Sequence, residues 1–97
     1  MLFAVLFEDD PAAPADIRKA HMPAHLAFLG EHADRVRAAG PLFDGSAGAG
    51  GLWLVEAESA AAVDALVKAD PFWPTGLRKS VRILEWRQVF AEGERRI

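Results

Sequence analysis

The sequence contains no cysteine. That excludes disulfides, thiolate catalysis and cysteine-ligated metals, and it suits a reducing compartment, so a cytoplasmic location is expected. A surplus of cations is also missing: 11 Lys and Arg stand against 14 Asp and Glu, for a formal net charge of −3. Neutralising phosphates needs the opposite balance gathered on one face, so nucleic acid is not an expected partner. Long apolar runs are absent too. Residues 1–7 are apolar but lack a basic flank and stop at Glu8-Asp9-Asp10, far short of the roughly 20 residues that span a bilayer. This segment reads as a buried first strand, and no membrane partner is expected.

What is present is globular. Hydrophobic residues make up 52% and charged residues 26% of the chain, a balance that folds rather than staying disordered. The 97 residues suit one core, so residues 1–97 are expected to form a single domain.

The expected elements follow from periodicity and punctuation. Residues 2–7 form a strand closed by the acidic, proline-rich stretch 8–14. Residues 16–39 read as helical, with Leu26, Leu29, Ala33 and Val36 on one inward face. Pro23 places the start of the main helix near Met22, after a separate short turn, and Gly40-Pro41 stops it. Leu42-Phe43 and residues 51–57 read as strands joined through the glycine-rich segment 45–50. Ser59 is a suitable N-cap for a second helix that turns Ala60, Val63, Leu66 and Val67 inward and ends near Asp70-Pro71. Residues 81–90 form the last strand.

This order is the ferredoxin-like βαββαβ arrangement of an α+β fold, with both helices on one sheet face. The other face should be polar if it is wet, yet residues 2–7 and Leu52-Trp53-Leu54-Val55 are apolar at consecutive positions. A homodimer packed sheet against sheet is therefore expected.

Four segments carry a resemblance: Met22-Pro23-Ala24-His25-Leu26-Ala27-Phe28-Leu29, Ala39-Gly40-Pro41-Leu42, Ala69-Asp70-Pro71-Phe72, and the final strand at 81–90. In this order and spacing the chain resembles the YCII (YciI-like) family along nearly its whole length. The resemblance implies a ferredoxin-like fold of the dimeric α/β barrel type and a pocket holding a His-Asp pair, here His25 and Asp70. One branch of the family resembles dehydrochlorinases acting on chlorinated hydroxyquinols, a substrate that nothing in these residues selects. Many relatives carry Arg where this chain has Met22.

The residues themselves weigh as follows. An imidazole near its unperturbed pKa of about 6.5 can both take and give a proton, and a carboxylate can fix its tautomer. The plain alternatives are a packed helix residue for His25 and ordinary Asp-Pro turn chemistry for Asp70. Asp70 also lies against the negative end of a helix dipole and so calls for a stabilising partner. The two helices are expected to run the same way, which separates His25 from Asp70 unless the loop at 71–80 folds back or the dimer joins them.

His21, His25 and His32 lack an accompanying carboxylate cluster, so no metal is expected. The glycine-rich segment has no following Lys-Ser/Thr and leads into a strand, which argues against a phosphate loop. Ser80 has no activating base. Gly40, Pro41 and Phe72 are the candidate ligand-contact residues, and Trp73 and Trp86 are further aromatic candidates for a pocket wall, with Trp86 better suited to packing. The expected function is a cofactor-independent small-molecule enzyme using His25 and Asp70 for proton transfer, isomerisation or elimination, with an aromatic substrate in view. The alternatives are a non-catalytic ligand-binding or accessory module on the same dimer and, more weakly, a structural assembly unit.

Overall fold

The computed structural model describes residues 1–97. Strand β1 (Leu2–Asp9) is central, and its alternation turns Phe3, Val5 and Phe7 into the core. It is flanked by β3 (Ala47–Glu56) and β4 (Arg78–Glu85), while β2 (Val36–Asp44) lies at the edge beyond β3, giving the antiparallel order β2-β3-β1-β4. Helices α1 (Ile17–Glu31) and α2 (Ala60–Ala69) cover one face. The core between them and the sheet holds Phe3, Val5, Phe7, Phe28, Trp53, Val55, Val63, Leu66 and Val67. A short hairpin of β5 (Phe90–Ala91) and β6 (Glu94–Arg95) ends the chain. No helix is long and apolar enough to cross a membrane.

Helix α1 differs from the sequence expectation at both ends. It runs unbroken from Ile17 through Pro23, where a proline removes the bond to the carbonyl four residues back and crowds that carbonyl without ending the helix. Pro23 is exposed, so water can satisfy that carbonyl. The helix stops at Glu31, where the His32 N–H donates to the Leu29 and Phe28 carbonyls. Residues 36–39, expected in the helix, are strand, and the strand runs on through Gly40-Pro41. Pro41 and Gly40 fit because β2 is an edge strand, where an absent N–H leaves no ladder bond unmade. The inward face is met in part: Leu29 packs on the core and Val36 reaches it from β2, whereas His25 and Phe28 are the buried helix residues and Leu26 is 58% exposed.

The glycine-rich segment is mostly strand as well. Gly45-Ser46 alone makes the hairpin turn between β2 and β3, with Gly45 at φ +60. In α2 the Ala62 N–H donates to the Ser59 hydroxyl at 3.1 Å, as a capping residue should. Val63, Leu66 and Val67 are buried as the periodicity requires, but Ala60 is exposed in the first turn. The last strand is Arg78–Glu85, shorter at its end than residues 81–90, so Phe90 stands on the terminal hairpin and is 60% exposed.

Strands β1 and β2 both run antiparallel to β3, and β3 and β4 both run antiparallel to β1. Each helix runs back against the strand before it, so α1 and α2 are antiparallel to one another, contrary to the sequence expectation. The C-terminus of α2, the end of β1 and the start of β4 consequently meet at one end of the sheet.

Candidate active site

At that end Asp70 is the C-cap of α2, with φ −65 and ψ 134. The extended ψ is what a residue before proline prefers. Pro71 therefore turns the chain out of the helix, and the Asp70 side chain folds back over the turn. Its Oδ1 accepts the Phe72 backbone N–H at 3.2 Å and lies 2.9 Å from Nδ1 of His25. Its Oδ2 lies 2.7 Å from Nη1 of Arg78, a charge contact without the angle of a directed hydrogen bond. The side chains of Asp70, Arg78 and His25 are 0%, 7% and 10% exposed. His25 and Asp70 thus meet within one chain, and neither a refolded loop nor a partner subunit is needed.

Burial pushes the Asp70 carboxyl upward. The hydrogen bond with His25, the Arg78 charge and the Phe72 N–H together outweigh it, and the group is held below the ordinary carboxylate range. The carboxylate is ionised despite lying at the negative end of a helix. Arg78 is lowered from its usual value by burial and only partly restored by Asp70.

Aromatic rings enclose the group. The His25 ring centroid is 4.7 Å from that of Phe72 and 6.1 Å from that of Trp53, and the Arg78 guanidinium lies 4.0 Å from the Phe7 ring centroid. Nε2 of His25 has no protein partner and is not sealed from outside. His25 lines a cavity of about 140 Å³ between α1 and the β2–β3 edge of the sheet. Gly40, Pro41 and Phe72 all line that cavity, with Met22, Trp53 and Arg78. Arg18 and Asp9, joined as an ion pair and 40% and 31% exposed, form part of its rim.

The other sequence candidates lie elsewhere. The His32 Nδ1 lies 2.9 Å from an Arg35 guanidinium nitrogen, and no three His, Asp or Glu side chains converge as metal ligands. The Ser80 hydroxyl reaches only the Glu8 carboxylate, at 3.4 Å on the exposed surface. Trp73 and Trp86 do not line the cavity; Trp53 does.

Arg78 is the site residue that sequence reasoning missed. Regular alternation along β4 puts Val81 and Ile83 on the helix-covered face and would add Lys79. A register shift between Glu8 and Asp9 instead sets Asp9 opposite Arg78. The bulge turns Arg78 inward and Lys79 out, and no signal in a single sequence announces it.

The fold and the site define a small α+β domain with a partly enclosed pocket and a buried His-Asp-Arg group at one sheet end. The chain belongs to the family of the YCII-related domain, whose model matches residues 1–87. Its structure is similar to that of 5-chloro-2-hydroxyhydroquinone dehydrochlorinase from Burkholderia phenoliruptrix AC1100 in complex with 2,5-dihydroxybenzoquinone. The two share 28% identity and a TM-score of 0.74 over 90% of this chain and 94% of that one. A comparison with curated proteins finds no match.

Proposed function

We propose that this protein is a cofactor-independent small-molecule enzyme in which His25 transfers a proton and Asp70 orients it. The observation that carries the reading is the pairing of Nδ1 with Oδ1 at 2.9 Å in a histidine that lines the cavity and whose Nε2 is left without a protein partner. With the Asp70 carboxylate ionised, Nδ1 carries the hydrogen and Nε2 is left as the base. Imidazolium formed on proton uptake is then stabilised by the same carboxylate. The aromatic lining from Phe72 and Trp53 favours a planar ring, in keeping with the quinone ligand and chlorinated quinol substrate named for the similar dehydrochlorinase.

The working unit in this reading is a cytoplasmic homodimer. Leu2, Ala4, Leu6, Leu52 and Leu54 lie on the sheet face without helices, beside Leu84 and Trp86, which are 41% and 43% exposed. Two copies packed through this face remove the apolar surface from water.

The test is turnover of a panel of hydroxylated and chlorinated aromatic rings, read as solvent-deuterium incorporation and chloride release. Wild type is expected to act on at least one member, with the rate reduced about a hundredfold or more in His25→Ala and in Asp70→Asn. Binding without turnover in wild type would favour a non-catalytic ligand module.

A further inference from the structure

Proton transfer through His25 leaves the buried cation of the site unused. Arg78 is nearly enclosed, with the Phe7, Trp53 and Phe72 ring centroids 4.0, 5.3 and 5.6 Å from its guanidinium carbon. One nitrogen, Nη1, faces Asp70. Nε and Nη2 have no protein acceptor, and neither is sealed off, since Nη1 is its only buried nitrogen without a directed partner. Arg78 lines the same cavity as His25. Two residues that each keep unpartnered, unsealed nitrogens therefore line one small space.

We propose that Arg78 is a catalytic residue that holds an ionised oxygen of the ligand, so that the pocket selects rings bearing an acidic hydroxyl or enol over neutral apolar rings. This rests on the acid-base reading of His25 and deepens it.

Charge conservation supports the assignment. A ligand that enters ionised is held by Arg78 directly. For a ligand that enters with its proton, Arg78 and Asp70 cancel before reaction, and His25 and the ligand are neutral. An O–H or C–H bond of the ligand then breaks, the proton goes to Nε2, and the electron pair stays on the ligand, delocalised onto an oxygen. The imidazolium faces Asp70, the anion faces Arg78, and the enclosed charge remains zero. Without Arg78 the new anion would rest among aromatic faces, where an unpaired charge is costly. Arg18, the other cation lining the pocket, is committed to Asp9 and lies on the wetter rim, where solvent weakens its pull.

The experiment is calorimetric titration of dihydroxybenzoquinone, a vinylogous acid, into wild type, Arg78→Lys and Arg78→Met. Because Arg78→Met alone strands the Asp70 charge, the Arg78→Met/Asp70→Asn double variant is titrated as well. Expected is a loss of affinity of tenfold or more in both variants carrying Met, with partial recovery in Arg78→Lys, which keeps a charge but loses the planar fork. A folded Arg78→Met or double variant that binds within twofold of wild type overturns the role of Arg78 and leaves His25 as base untouched. Failure of wild type to bind the quinone overturns the ligand class, and this proposal with it.

Discussion

Gly50 and Phe7 approach so closely that a Cβ at Gly50 would stand 2.0 Å from the Phe7 carbonyl oxygen. Gly50 is at φ +93 and is buried, and it borders the cavity beside Gly51, which pairs with Phe7 across β1 and β3. The pocket wall is therefore backbone, held against the strand that carries an aromatic ring under Arg78.

Gly50→Ala is expected to destabilise the fold through both the positive φ and the backbone clash. Strained φ/ψ alone costs about 1–3 kcal/mol, which for a domain of this size lowers Tm by at least about 4 °C. Thermal denaturation of Gly50→Ala beside Gly48→Ala provides the check, since a Cβ at Gly48 meets nothing within 4 Å. Equal losses in the two variants would contradict the close approach.

Much of this could be read from the chain, and the failures have identifiable causes. Strand β1, the Ser59 cap and the buried Val63-Leu66-Val67 stripe each depend on a local pattern, and each forms. The α1 face forms only in part: Leu29 packs on the core, but His25 occupies a buried position that hydropathy assigns to an apolar residue, and its partner Asp70 comes from 45 positions away. Residues 36–39 continue the helical spacing through Val36 and two alanines but acquire strand geometry from pairing with β3. Arg78 was hidden by a bulge, a feature of pairing between two strands rather than of either one.

Stability at acid pH should depend on Asp70. Its folded pKa is lowered, so the stabilisation is fully present above the unfolded value, about 3.9, and is lost as pH falls through the folded value. Urea midpoints measured from pH 6 down to pH 2 should fall in wild type below about pH 4. Asp70→Asn should be less stable at pH 6 by roughly 3–5 kcal/mol, because Arg78 is left buried without its counter-charge. Its midpoint should then decline less over the acid range. An unchanged acid slope in Asp70→Asn would show that another carboxylate governs it.

The open sheet face gives a prediction about assembly. Leu54 is on β3 between Ala4 of β1 and Ala38 of β2, away from the helices. Leu54→Glu places a charge where the two sheets of the proposed dimer meet, and burying it there without a partner is prohibitive. Sedimentation at micromolar concentration should show a dimer for wild type and a monomer for Leu54→Glu. A monomeric wild type would remove the dimer from the proposal and leave the intrachain His25–Asp70 contact as it is.

Replacing His25 can separate its structural part from its chemical one. An Asn amide nitrogen occupies nearly the same place as Nδ1 and can donate to Oδ1 of Asp70, whereas Ala offers no donor at all. His25→Ala should therefore cost about 1–3 kcal/mol for the carboxylate hydrogen bond left unmade, and more for the space vacated between Phe72 and Trp53. His25→Asn should recover the hydrogen-bond part and melt measurably higher than His25→Ala. Neither variant has a titrating group at the position of Nε2, so both should lose turnover equally. If His25→Asn regained stability and activity together, the imidazole would be serving only to position Asp70, and the proton-transfer role would have to move to another group in the pocket.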